Sequence, residues 1–126
     1  MSYGTPEYKD LDMISAINHQ RAKRWHKGGL EEWSPSDWAC AMAGEAGEVC
    51  NAVKKLNRIE HGIVSAKGPK SREEAIAAVA QEIGDTFLYL DLLARRLGIN
   101  MARAIADTFN RVSEREGFPE RIKDYG

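Results

Sequence analysis

Apolar residues recur along this chain at intervals of three and four, the spacing that places them on one side of an α-helix. Four such segments stand out, separated by Gly- and Pro-containing breaks. The first is predicted over residues 6–25, with Leu11, Ile14, Ile17 and Trp25 as a loose apolar stripe, and His26-Lys27-Gly28-Gly29 ends it. Leu30 to Trp33 form a short connection. The second segment opens on Ser34 as cap, Pro35 in the first turn and Asp37 as capping-box partner. Its stripe reads Trp38, Met42, Glu45, Val49, Ala52, Leu56, Ile59, a bundle seam that stops near His61-Gly62. Residues 62–70 read as a loop with Gly68-Pro69 as breaker. The third segment starts at Ser71 with Glu74 as box partner, carries Ile76, Val79, Ile83, Phe87, Leu90 and Leu97 on its apolar side, and ends at Gly98. The fourth is capped by Asn100, with Ala102, Ile105, Ala106, Phe109 and Val112 expected inward, and stops at Gly117 and Pro119. No strand pattern competes, so the expected fold is all-α, a four-helix bundle.

Composition narrows the picture. A chain of 126 residues suits one domain, 1–126. The 43% hydrophobic and 29% charged residues are those of an ordinary globular protein. A formal net charge of −1, with basic and acidic residues interspersed, offers no field for a nucleic-acid backbone. No apolar run approaches the roughly 18–20 residues that span a bilayer, and the polar first ten residues are no secretory signal. Neither nucleic acid nor membrane is expected as partner, and the expected location is the cytoplasm. Cys40 and Cys50 fall on one predicted helix, with roughly 15 Å of rise between them. They cannot reach the roughly 7 Å a disulfide needs, and they read as small buried or half-buried thiols.

The second and third segments hold carboxylates on the wrong side. Glu45 occupies a seam position where an apolar residue is expected, and Glu48 lies one turn on. Glu82 and Asp85 are likewise three apart, on the flank beside Val79, Thr86 and Tyr89. Residues three apart are neighbours on a helix surface, so two helices can aim four carboxylates at one point. Unpaired buried carboxylates are costly, and a hard divalent cation held by oxygens is the simplest remedy. Both motifs end in Glu or Asp rather than His, which favours magnesium or manganese over iron. Magnesium keeps waters and takes substrate phosphates. The other reading is a solvated surface, since the chain has 19 acidic residues. Gly44 and Gly47 interrupt the helix at a cost of roughly 1 kcal/mol each relative to alanine. A close backbone or ligand approach would account for them. Lys54 and Lys55 are candidates for phosphate contact, or exposed lysines near a helix end. Tyr89, one turn past Asp85, either lines a pocket or packs in the core. Trp38, on the Glu45 stripe, either stacks on a base or packs in the core. Trp25, Trp33 and His19 are further candidates for a base pocket.

The runs Ala43-Gly44-Glu45-Ala46-Gly47-Glu48-Val49 with Asn51 and Lys54-Lys55, and Glu82-Ile83-Gly84-Asp85-Thr86-Phe87-Leu88-Tyr89-Leu90, resemble the two metal motifs of MazG-like pyrophosphohydrolases. The run from Phe109 through Asn110, Arg115 and Gly117 to Pro119 resembles that family's closing helix and tail, so the likeness covers residues 38–122. The resemblance implies an all-α fold, dimeric or tetrameric, related to dimeric dUTPases and dCTP pyrophosphatases. It implies hydrolysis of a nucleoside triphosphate to the monophosphate and pyrophosphate, with Glu45, Glu48, Glu82 and Asp85 on magnesium and Asn110 and Arg115 at nucleotide-contacting positions. The chain departs from compact members in the 33 residues between Glu48 and Glu82, an excess that fits the 62–70 loop. Two other classes compete. A non-catalytic helical dimerisation or interaction module would need no metal. A ferritin-like redox carboxylate protein would need a ligating histidine, and His19, His26 and His61 lie outside both motifs.

Overall fold

A computed structural model describes residues 10–123. It contains four α-helices and no strand among the described residues: α1 (Leu11–Trp25), α2 (Pro35–Glu60), α3 (Arg72–Arg96) and α4 (Met101–Glu116), with a 3₁₀ turn at Leu30–Glu32 between the first two. The all-α class read from the hydrophobic spacing is the class found. The part of the predicted first helix before Asp10 lies outside the described residues. No helix among them is long and apolar enough to cross a membrane.

Local chemistry sets the helix ends. Asp10 caps α1, its carboxylate accepting from the Asp12 and Met13 amides. Ser34 and Asp37 form the predicted reciprocal box, at 3.1 and 3.0 Å, with Pro35 in the first turn. At α3 the pattern is displaced by one residue. Ser71 accepts from the Glu74 amide, but the Glu74 carboxylate takes the N–H of Lys70. Asn100 caps α4, accepting from the Arg103 amide at 2.8 Å. Gly62, Gly98 and Gly117 end α2, α3 and α4 with φ between 71° and 79°, the left-handed region glycine enters without a Cβ clash.

The described chain forms two compact units. One joins the residues up to Glu32 with those from Ala94 onward; the other is Trp33–Leu93. In the first, α1 pairs with α4. The Arg95 guanidinium donates to Ser15 Oγ at 2.7 Å, and Asn100 donates to Asp12 at 3.2 Å. In the second, α2 and α3 form an antiparallel hairpin. Arg72 meets Glu60 at its closed end, and Trp38 faces Tyr89 towards the open end, with ring centroids 6.4 Å apart.

The inward faces differ from several of those expected. On α2 the predicted stripe holds: Trp38 and Ala52 are buried, and Met42, Glu45, Val49, Leu56 and Ile59 are half-buried. On α3, Ile76, Ile83 and Leu90 point outward, with Leu97 beyond the helix also exposed. The buried positions are instead Ala75, Asp91, Leu92 and Ala94. On α4, Ile105, Phe109 and Val112 are exposed while Ala106 and Ser113 are enclosed; on α1, Ile17 and Trp25 are exposed while Ser15, Asn18 and Ala22 are enclosed. The physical reason is size. Close helix contacts here are made by alanine, serine and asparagine, which hydropathy ranks below the bulky aliphatics left outside. Both cysteines are free and exposed, which corrects the expectation of buried thiols.

Candidate metal centre

Glu45 from α2 and Glu82 and Asp85 from α3 meet within the hairpin. Each offers one carboxylate oxygen, and these oxygens all lie within 4.8 Å of one another. All three side chains are half-buried. The spacing follows from helix geometry. Glu82 and Asp85 sit on adjacent turns of one face, and the antiparallel partner brings Glu45 opposite them. The donor set is all oxygen, with no histidine or cysteine in the group, the chemistry that suits a hard divalent cation.

Glu82 shows the strain of this arrangement. Partial desolvation lifts its carboxyl above the usual 4.5, and Asp85, Glu48 and Glu45 add to the rise, while the Lys55 ammonium opposes it. The segment is also shaped by Thr86, whose hydroxyl donates to the Glu82 carbonyl at 2.8 Å.

Glu48 stands outside the group of three. Its side chain is exposed and lines a cleft of about 150 Å³ together with Asn51, Lys55, Lys67 and Glu82. Lys55 therefore faces the carboxylates, whereas the equally basic Lys54 lines neither cleft of the hairpin. Beyond the backbone of their own helical turn and their chain neighbours, Gly44 and Gly47 have no atom within 4 Å of where a Cβ would stand. A close backbone approach is thus not their reason, and the space beside them is open.

The aromatic candidates fall elsewhere. Trp38 is 1% exposed, its ring 4.6 Å from that of Trp33 and packed towards Tyr89, so it presents no face for a base to stack on. Tyr89 is half-buried in the same cluster. Trp25 is 68% exposed beneath the Arg21 guanidinium. His19 contacts Arg95 at 3.3 Å in the first unit. Asn110 and Arg115 also belong to that unit. The Asn110 amide donates to the Ile122 carbonyl at 3.0 Å and accepts from its N–H at 2.8 Å, clamping the tail to α4. Arg115 lies on the surface against Glu116.

Three residues of the hairpin escaped the pattern reading. Arg58 and Lys67 line a cleft beside the carboxylates, and the basic make-up of the 62–70 loop was the available signal. Asp91 is wholly enclosed. A lone acid between leucines on α3 was its only sign.

Comparison with curated proteins and with solved structures finds no match. The model of the MazG nucleotide pyrophosphohydrolase domain, however, matches residues 34–118. That span takes in α2, α3 and α4, all three clustered carboxylates and the loop between them. With two thirds of its length matched, and Glu45 of α2 brought to Glu82 and Asp85 of α3, the chain belongs to the MazG nucleotide pyrophosphohydrolase family.

Proposed function

We propose that this protein hydrolyses a nucleoside triphosphate, a deoxynucleotide or a modified nucleotide, to the monophosphate and pyrophosphate in a magnesium-dependent reaction. The observation that carries this reading is the convergence of Glu45, Glu82 and Asp85 beside a lysine-lined cleft. The three carboxylates, with Glu48 as a fourth, would hold magnesium, or manganese in its place. When bound, the cation supplies neutralisation of charge on phosphate oxygens. Lys55 would hold a phosphate oxygen within the cleft. A water oxygen attacks phosphorus in line, the bond to the departing pyrophosphate breaks, and a glutamate of the group takes the water's proton. On this reading the protein works in the cytoplasm. The outward apolar residues of α3 further support a homodimer or homotetramer.

The test is pyrophosphate and phosphate release from a panel of canonical and modified NTPs and dNTPs, with and without magnesium. A Glu45→Gln, Glu82→Gln double variant serves as control. Magnesium-dependent pyrophosphate release, lost in the variant, is the expected result. Release of single phosphates would discard the chemistry and keep the cation site. No release from a folded protein would favour a non-catalytic helical module.

A further inference from the structure

The 62–70 loop that lengthens this chain between its two carboxylate motifs is not a bare connection. Its ends are drawn together by the Arg72–Glu60 ion pair at 3.5 Å. Its interior is laced by Lys70, whose ammonium donates to the carbonyls of Ser65 and Ala66 and whose backbone N–H donates to Glu74. Lys70 thus satisfies the loop's own carbonyls, and Lys67 makes none of these bonds.

Lys67 lines two adjoining clefts. Lys55, Gly68 and Pro69 form the wall they share. One cleft contains Glu48 and Glu82 and opens onto the carboxylate group. The other, also about 150 Å³, gathers Lys55, Arg58 and Lys67 and has no acidic residue in its lining. None of the three cations is in a salt bridge among the described residues. Like charges collected around one small cleft repel each other, and an anion there relieves the repulsion. The hairpin therefore offers a polar track, acidic at one end and basic at the other. A polyphosphate chain has the complementary form: one phosphorus at the cation-binding carboxylates, the remaining phosphates among lysine and arginine donors.

We propose that Lys67, with Arg58 and Lys55, forms the subsite for the two distal phosphates, so that the loop selects triphosphates and holds the pyrophosphate as it leaves. This rests on the hydrolase reading above. The loop then serves to present a cation that the two helices alone do not supply.

The test is calorimetric binding of magnesium pyrophosphate, and separately of a nucleoside monophosphate, to the wild-type protein, Lys67→Met, Lys67→Arg and Arg58→Met. Triphosphate hydrolysis by the same proteins is followed alongside. Pyrophosphate affinity is expected to fall about tenfold in Lys67→Met and in Arg58→Met, the size of one charged contact, and to return in Lys67→Arg. Monophosphate affinity should not change. KM for the triphosphate should rise with the same ranking. Unchanged pyrophosphate affinity in folded Lys67→Met and Arg58→Met, or no pyrophosphate binding by the wild type, overturns the subsite. Lys67-dependent pyrophosphate binding without any hydrolysis would keep the subsite and reject the hydrolase reading. Hydrolysis with Lys67-independent binding would do the reverse.

Discussion

Ile76, Ile83 and Leu90 are spaced by seven along α3, so they fall within about 20° of one another per heptad and form a stripe on its outward side. Ile83 is the most exposed of them, at 55%. Replacing it with glutamate tests whether that stripe meets a second copy. Full burial of such a side chain stabilises by roughly 1.5–3 kcal/mol, so covering the exposed half contributes about 1 kcal/mol. Three residues on each of two chains then supply about 6 kcal/mol, against an association cost of at least about 4 kcal/mol. The margin is thin. Losing Ile83 from both chains removes about 2 kcal/mol, near thirtyfold in Kd, before any repulsion between the new carboxylates. The single chain should hardly notice, because an exposed helical site tolerates substitution within about 0.5 kcal/mol. Sedimentation equilibrium of wild type and Ile83→Glu across a concentration series reads the association, and a circular dichroism melt reads the fold. Unchanged association in the variant would refute the interface. A variant that unfolds would refute the placement of Ile83 outside the core.

Magnesium at one hundred times its Kd adds about 2.7 kcal/mol to a folded protein that binds it. For a chain of this length that raises the melting temperature by roughly 10 °C, and Glu45→Gln should abolish the rise in a thermal-shift assay with and without chelator. The raised carboxyl of Glu82 means the folded chain keeps that proton to higher pH than the unfolded chain. Stability of the cation-free protein should therefore fall as pH rises from about 4.5 through the folded value, and the denaturant midpoint of Glu82→Gln should be flatter over that window. Asn110→Ala removes both hydrogen bonds to Ile122 and should cost about 1–2 kcal/mol, with faster amide exchange at Ile122 as the signature. Trp38→Ala empties an enclosed site and should cost about 3–5 kcal/mol, visible as a lowered urea midpoint.

Helix boundaries were legible because they depend on near neighbours. Ser34 with Asp37, Asn100 with Arg103, and the glycines after α2, α3 and α4 act within a few residues of themselves. The carboxylate cluster was legible because Glu45 broke a stripe that is otherwise apolar. The direction in which α3 and α4 face was not. Hydropathy ranks Ile83 and Phe109 above Ala75 and Ala106, yet close packing selects the small residues. That Lys55 and Lys67 line the same clefts depends on how the loop folds back on α2. That fold is fixed by Lys70 reaching two carbonyls, an interaction no spacing announces.

The open flanks of Gly44 and Gly47 bear on heat tolerance. A methyl group at either position would meet nothing. Each glycine within a helix forgoes roughly 1 kcal/mol relative to alanine, partly through the extra freedom it gives the unfolded chain. Together they forgo about 2 kcal/mol, a sizeable share of the roughly 5–15 kcal/mol that holds a typical domain together. The same two residues flank Glu45 and leave the peptide groups around it without Cβ atoms to shield them, which favours local opening of this turn. A helix softened at the turn that carries Glu45 gives up survival at high temperature in return for local freedom of that side chain.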